Sequence, residues 1–360
     1  MKRRRLLATV GVGLASGVAG CLTPPDTGEG TTIKDGAPLR LERVRMRLDT
    51  PWGASFHPET GNLFVTERPG RVVRAMGNDR GPVRTLDSTA NFGEGGLLGL
   101  AFDPRNPRDA YVYQTYDGEA GLANRVLRLD ADREFAVDSV VLDGIPANTV
   151  HNGGRLEFGP DGALWVTTGD AGEPSTAQSR DSLAGKVLRI TRNGDPDPGN
   201  PFDSPVYTYG HRNPQGLSFV GGSVYAVEHG PDEADELNRL EAGGNYGWPA
   251  VSGESDRETY VEPLVTWTPS IGPAGLAYYT GPIERWQDSF FVGALVGTHL
   301  RQVSLDADDV ASQNTLYGNL GRLRTTFTGP DDHLYFTTSN QDGRGDPDPT
   351  DDEVYRVRPP

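Results

Sequence analysis

Residues Gly153–Asp170 read GGRLEFGPDGALWVTTGD. A short apolar run ending at Phe158 is followed by Gly-Pro-Asp-Gly and then by a second run, Ala163 to Thr168, rich in β-formers. Glycine, proline and aspartate supply the φ angles and local side-chain bonds that a tight turn needs, so the stretch predicts a β-hairpin. The unit recurs as PWGASFHPETGNLFVTERPG from Pro51, LLGLAFDPRNPRDAYVYQTYDG from Leu97 and PQGLSFVGGSVYAVEHG from Pro214. It appears again as PAGLAYYTGPIERWQDSFFVGALVG from Pro273 and LRTTFTGPDDHLYFTTSNQDG from Leu323, which makes six copies with starts roughly 45 to 60 residues apart. Further alternating strands follow several copies, among them NRVLRLD from Asn124, GKVLRIT from Gly185 and EVYRVRP from Glu353.

Repeated antiparallel units of about four strands predict an all-β fold, a six-bladed β-propeller whose blades protect their edges by packing radially. A twisted β-sandwich is the alternative, but its strands need not recur in such similar units. The early strand LRLERVRMRL, Leu39 to Leu48, precedes the first hairpin and is expected to complete the last blade and close the ring. With 47 Gly, 28 Pro and 35% hydrophobic residues among 360, the chain can bury a sizeable core yet has few long helix-forming runs.

The first 21 residues, MKRRRLLATVGVGLASGVAGC, place Lys2 and Arg3–Arg5 before an apolar run that ends in small residues and Cys21. The run is too short to span a bilayer, and the pattern predicts a twin-arginine signal peptide with a lipoprotein cleavage box. Residues 22–38 are rich in Pro, Gly and Thr and read as a flexible tether, leaving 39–360 as the propeller. Cys21 is the single cysteine, so no disulfide can form within the chain and its expected role is to carry a lipid that anchors the exported protein to the outer face of the cell membrane. The formal charge is −16, and removing the four basic residues of the leader takes it to −20, which excludes nucleic acid as an expected partner. Lysine occurs at positions 2, 34 and 186 alone; an acidic, lysine-poor surface suits high salt, where screening removes self-repulsion.

In a propeller the loops leading into the innermost strands converge at one end of a central channel. The residues at those positions are Glu94, His151, Arg212, Asn213, Trp267, Arg322 and Arg324. Carboxylate, imidazole, guanidinium, amide and indole groups at one mouth suit a polar, planar, anionic ligand. Each could instead be a polar rim residue or, for His151, a turn residue; their recurrence at one point of the repeat favours a site.

The segments GEGGLLGLAFDP, HNGGRLEFGPDGALWVTTGD, GKVLRI, YGHRNPQGLSF, EHGPDEADELNRLEAGGNYGWP and TPSIGPAGLAYYTG together resemble the soluble glucose/sorbosone dehydrogenase family, from about Trp52 to the C-terminus. The resemblance implies an aldose dehydrogenase that uses pyrroloquinoline quinone (PQQ) and calcium, oxidises the anomeric hydroxyl of a sugar to a lactone and passes electrons to a separate acceptor. It implies His151 as general base, Glu94 near the substrate, and Arg212, Asn213, Arg322 and Arg324 as cofactor contacts, with Trp267 at the same mouth. The carbonyls of Gly230 and Pro231 match ligands of a cofactor-side calcium, while Glu236 and Tyr246 match a second, structural calcium site. One departure stands out: Val296 occupies the place where relatives commonly carry a lysine, so His299 or an arginine such as Arg301 would have to substitute.

The acidic stretches NGDPDPGNPFD from Asn193 and GRGDPDPTDDE from Gly343 lack the ligand order of an EF-hand and read as solvated turns. There is no glycine-rich nucleotide loop, serine nucleophile elbow or zinc helix. Two competing functions remain open: a propeller that binds a sugar without chemistry, and a calcium-dependent lactonase, against which the arginine-rich mouth argues.

Overall fold

The computed structural model describes residues 38–359 apart from 79, 307 and 308. The expected signal peptide, Cys21 and nearly all of the tether lie outside the described residues. The described chain forms six four-stranded antiparallel sheets, and its helical segments are short 3-10 turns. The innermost strands are Pro51–Phe56, Leu97–Asp103, Leu156–Phe158, Pro214–Val220, Pro273–Tyr279 and Leu323–Thr328, defining blades 1 to 6. Each touches the next around the axis, and the sixth returns to the first.

The ring is closed as expected from the early strand. Arg40–Arg45 joins blade 6 as its outermost strand, pairing Arg40 with Arg358 and Leu41 with Val357. A hydrogen-bonded ladder between the two ends of the described chain therefore holds the first and last blades in register.

Alternation along each strand sends successive side chains to opposite faces, so every blade offers an apolar face to both neighbours. In blade 2, Tyr111 and Tyr113 face blade 3 with Leu164 and Val166, while Ala110 and Val112 face blade 1 with Phe64 and Val72. The buried residues fall into six clusters, one at each junction between blades. Trp286, Phe291 and Phe336 fill the junction of blades 5 and 6, and Trp165 with Leu217 that of blades 3 and 4.

The inner strands approach so closely that most cannot carry a side chain at the third position of the repeat. A Cβ on Gly53 would lie 2.6 Å from the Leu98 carbonyl oxygen and 2.7 Å from the Leu100 nitrogen, and one on Gly99 would meet the backbone of Gly154. The corresponding residue of blade 3 is Arg155, which runs across the axis: its Nε donates to the Gln215 carbonyl at 2.9 Å, Nη2 donates to Thr325 Oγ1 at 3.4 Å, and the guanidinium lies 4.5 Å from the Trp52 ring centre. Burial pushes this guanidinium down to about 10.

Replacing Gly53 by valine forces backbone to move at the junction of blades 1 and 2. The expected cost is about 3 kcal/mol of unfolding free energy, read as a lowered midpoint in guanidinium titration, whereas Gly318→Ala, with open space around its Cβ and no left-handed backbone, serves as a control for glycine replacement in a turn.

Candidate functional site

His151 stands at the start of blade 3 in left-handed backbone, φ 54°, followed by Gly153 and Gly154, both also at positive φ. Left-handed backbone is costly for a residue with a Cβ, of order 1 kcal/mol or more, and persists when its surroundings over-determine it. They do so here. The His151 N–H donates to Glu94 Oε2 at 3.0 Å, the His151 carbonyl accepts from Ala171 N–H, and Gly153 N–H donates to Asn213 Oδ1 at 3.0 Å. Next to it, the Asn152 amide bonds Asn124 and the Asn148 backbone.

The imidazole itself is oriented by Asp170. His151 Nδ1 lies 2.7 Å from Asp170 Oδ1, which also accepts from Gly172 N–H at 2.8 Å, and Asp170 is wholly buried. With Nδ1 turned to a carboxylate, the proton belongs on Nδ1 and the Nε2 lone pair is free.

Glu94 projects from the loop before blade 2, a loop tied to that of blade 3 by Glu94 N–H to the Thr149 carbonyl. Its Oε1 accepts from Arg344, which comes from blade 6, across blade 1, at 3.0 Å. Burial opposes its charge, but the His151 N–H together with nearby His229 and Arg344 outweighs that and holds the carboxyl below its usual range.

The arginines expected at the mouth are there, Arg322 and Arg324 buried and Arg212 half-buried. Arg322 donates to Asp342 Oδ2 from Nε and Nη2 at 3.0 and 2.8 Å and to the Leu295 carbonyl from Nη1. Arg324 reaches Ser339 and Gln215, and burial, reinforced by Arg68 and Arg322, pushes it down to about 9. Arg68 donates to the carbonyls of Gly93 and Gly95. Arg212 donates to the His229 carbonyl and lies 5.5 Å from the Trp248 ring centre. Burial lowers both Arg68 and Arg212. Buried Arg68, Arg322 and Arg324 with half-buried Arg212 outnumber the carboxylates of Asp342, Glu94 and Asp170 at the mouth, and this positive excess fits a planar ligand with several carboxylates such as pyrroloquinoline quinone.

Arg212, Glu228, His229, Gly230, Glu236 and Tyr246 line one pocket beside this cluster. Glu228 and Glu236 are both buried, and burial raises them to about 7 and about 8; the Glu228 carboxyl adds to the rise of Glu236, while the hydrogen bond with Glu236 works against that of Glu228. Asn238 Nδ2 donates to Glu236 Oε2 at 2.9 Å, while buried Asn238 Oδ1 has no hydrogen-bond partner. Among the described residues no three His, Cys, Asp or Glu side chains converge, so any cation here must also draw on amide and backbone oxygens. Two buried carboxylates with the Gly230 backbone lining the same pocket are hard donors of the kind calcium takes, so the residues fit that ion.

Two expected residues lie elsewhere. Trp267 belongs to the outer strand Val265–Trp267 of blade 4, is buried between blades 4 and 5, and donates from Nε1 to Gln313 at 2.7 Å; it is a core residue because its segment pairs with Asp235–Leu237 rather than forming a loop. Pro231 is exposed and does not line the pocket. Val296 is 60% exposed. His299 turns to the Gly297 carbonyl at 2.7 Å.

Asp170, His229, Trp248, Asp342 and Arg344 were not among the expected residues. All but Trp248 follow the second strand of a hairpin. In an antiparallel pair the end of the second strand lies beside the start of the first, so the polar endings VTTGD, AVEHG and TTSNQD were the readable signal.

A family model described as Glucose / Sorbosone dehydrogenase matches residues 48–346. An uncharacterized protein of Synechocystis sp., slr1608, is 35% identical over 82% of this chain and 83% of its own. The aldose sugar dehydrogenase YliI of Escherichia coli K12 is 31% identical over 85% of this chain and 92% of its own. The PQQ-bound structure of the aldose sugar dehydrogenase from Streptomyces coelicolor superposes with a TM-score of 0.80 at 35% identity, covering 90% of this chain and 99% of that one.

The raised Glu228 and Glu236 make the metal-free fold pH-sensitive. Between the usual carboxyl value of 4.5 and about 8 the native state holds protons that the unfolded chain has released, so stability falls as pH rises through that window. Buried His211, His229 and Lys186, whose pKa values burial lowers, act in the opposite sense, so the pair's own share is read in chelator as the thermal midpoint of Glu228→Gln/Glu236→Gln minus that of the wild type, a difference expected to grow from pH 5 to pH 8; added calcium is expected to raise the wild-type midpoint more at pH 8, where the pair is ionised, than at pH 5. A calcium response that is equal at both values would remove the pair from the cation site.

Proposed function

The chain belongs to the glucose/sorbosone dehydrogenase family, and on that premise we propose that it oxidises the anomeric hydroxyl of an aldose to the lactone with pyrroloquinoline quinone and calcium as bound cofactors. The observation that carries this reading is the His151–Asp170 pair, 2.7 Å apart, at a mouth ringed by buried arginines. The quinone, when bound, supplies the two-electron acceptor for the hydride that leaves C1 of the sugar, and a separate acceptor then reoxidises it. Arg212, Arg322 and Arg324 would hold its carboxylates, with Asn213 beside them.

Asp170 keeps the proton of His151 on Nδ1, and Nε2 takes the proton of the C1 hydroxyl as the C1–H bond breaks. The imidazolium so formed is stabilised by the buried carboxylate. A positioned base of this kind contributes about 10² to 10⁴ in rate. Glu94, its oxygens held by the His151 N–H and by Arg344, presents a fixed negative edge to sugar hydroxyls. Glu228 and Glu236 with the Gly230 backbone would hold calcium next to this site. Export and lipid attachment at Cys21 complete the proposal, placing the reaction outside the cell membrane.

Exposed Val296 in place of a lysine supports a second reading, a propeller that binds sugar without chemistry. Calorimetric titration of the purified mature domain with quinone in calcium separates the two. The dehydrogenase reading expects binding and dye reduction with aldoses; sugar binding without any quinone uptake would establish the alternative. His151→Gln is expected to keep the fold and the quinone and to lower kcat by about 10³, and undiminished turnover in that variant would remove His151 from the base role.

A further inference from the structure

Asp170 is held by groups from two blades. One oxygen serves blade 3, receiving His151 Nδ1 and the Gly172 N–H. The other, Oδ2, accepts from the indole N–H of Trp248 at 2.8 Å, and Trp248 comes from the long loop of blade 4. Trp248 is itself fixed on several sides, through its backbone and through its ring. The Trp248 backbone N–H donates to the Gly210 carbonyl at 3.0 Å. Its carbonyl accepts from Gln178 Nε2 at 2.7 Å. Gln178 and Asn245 bond each other reciprocally through their amides, at 2.9 Å in both directions. The Arg212 guanidinium lies over the ring.

We propose that Trp248 is a positioning residue for the base, and that the Gln178–Asn245 amide pair aims its indole at Asp170. The physical reason lies in the carboxylate. A buried carboxylate with one oxygen unbonded is costly and rotates to find a donor. With Oδ2 tied to the indole, the plane of Asp170 is set and Oδ1 is left to face His151 Nδ1. This keeps the imidazole in one tautomer and one orientation, with Nε2 directed away from the carboxylate. The indole N–H is a donor only, so unlike a hydroxyl or amide it cannot turn round and compete for the histidine proton. Trp248 also lines the pocket that contains Glu228 and Glu236, so the same side chain joins the wall of the cation pocket to the base.

The inference rests on His151 being the base, and its test reads a property that exists without cofactor or sugar. Imidazole ¹⁵N spectra are recorded on the quinone-free protein, with the His151 signals identified by their loss in His151→Gln. The wild type is expected to show His151 protonated on Nδ1. In Trp248→Phe, which keeps a ring under Arg212 but removes the N–H, a substantial Nε2–H population is expected. Gln178→Ala should shift the tautomer the same way by less, and supplies the answer if the phenylalanine variant does not fold. Trp248→His, which returns a ring N–H, should move the tautomer back toward Nδ1. In the reconstituted enzyme Trp248→Phe is expected to lower kcat about tenfold to a hundredfold, with KM changed much less. An unchanged His151 tautomer in both Trp248→Phe and Gln178→Ala overturns the proposal. Failure of the base assignment looks different: it is full turnover in His151→Gln, whatever the spectra of the Trp248 variants show.

Discussion

Everything at the mouth depends on how closely six inner strands crowd one axis. At Gly53 and Gly99 the neighbouring backbone stands where a Cβ would be, and this proximity brings residues separated by hundreds of positions to one place. Glu94 and Arg344 meet because blades 2 and 6 are neighbours of the same small opening. The closing ladder of Arg40–Arg45 on Val354–Arg358 keeps that geometry from opening. Six apolar junctions then hold each blade at its angle. Rigidity of the ring is what allows a histidine to be kept in left-handed backbone at its rim.

The architecture was legible because period-two alternation and turn residues recur at every copy, and the closing strand could be anticipated from its position alone. The site was legible by half. His151, Glu94, Arg212, Asn213, Arg322 and Arg324 precede inner strands and could be found by aligning the starts of the repeats. Asp170, His229 and Asp342 follow second strands, and the antiparallel pairing that puts them at the same mouth also works on their alignment, which was there to be read at the other end of each hairpin. Trp248 carries no repeat signal: it sits in a loop particular to blade 4, and only tertiary structure brings it to Asp170. Trp267 was misplaced for the opposite reason. Its segment looks like a leading loop in sequence, yet Val265–Trp267 completes the blade 4 ladder, and its indole is consumed by the core and by Gln313.

Charge is distributed in two ways across this protein. The surface is acidic, whereas the mouth concentrates guanidiniums, and these are paired mainly with backbone carbonyls and two carboxylates. Removing Arg324 from water lowers its affinity for its proton, and a ligand carrying negative charge would reverse that penalty. The pair Glu228 and Glu236 poses the mirror-image problem a short distance away, where a cation is wanted. The two unmet demands lie on either side of Arg212, whose backbone N–H bonds Glu228 and whose side chain bonds the His229 carbonyl. An anion and a cation bound together would satisfy both.

Arg155 gives the central passage a floor. Its guanidinium, buried and spread from the Gln215 carbonyl to Thr325 above the ring of Trp52, occupies the axis where a propeller can otherwise be open from end to end. A ligand seated at His151 would meet this guanidinium in the direction of the axis, so its way in and its way out would lie on the same side of the ring.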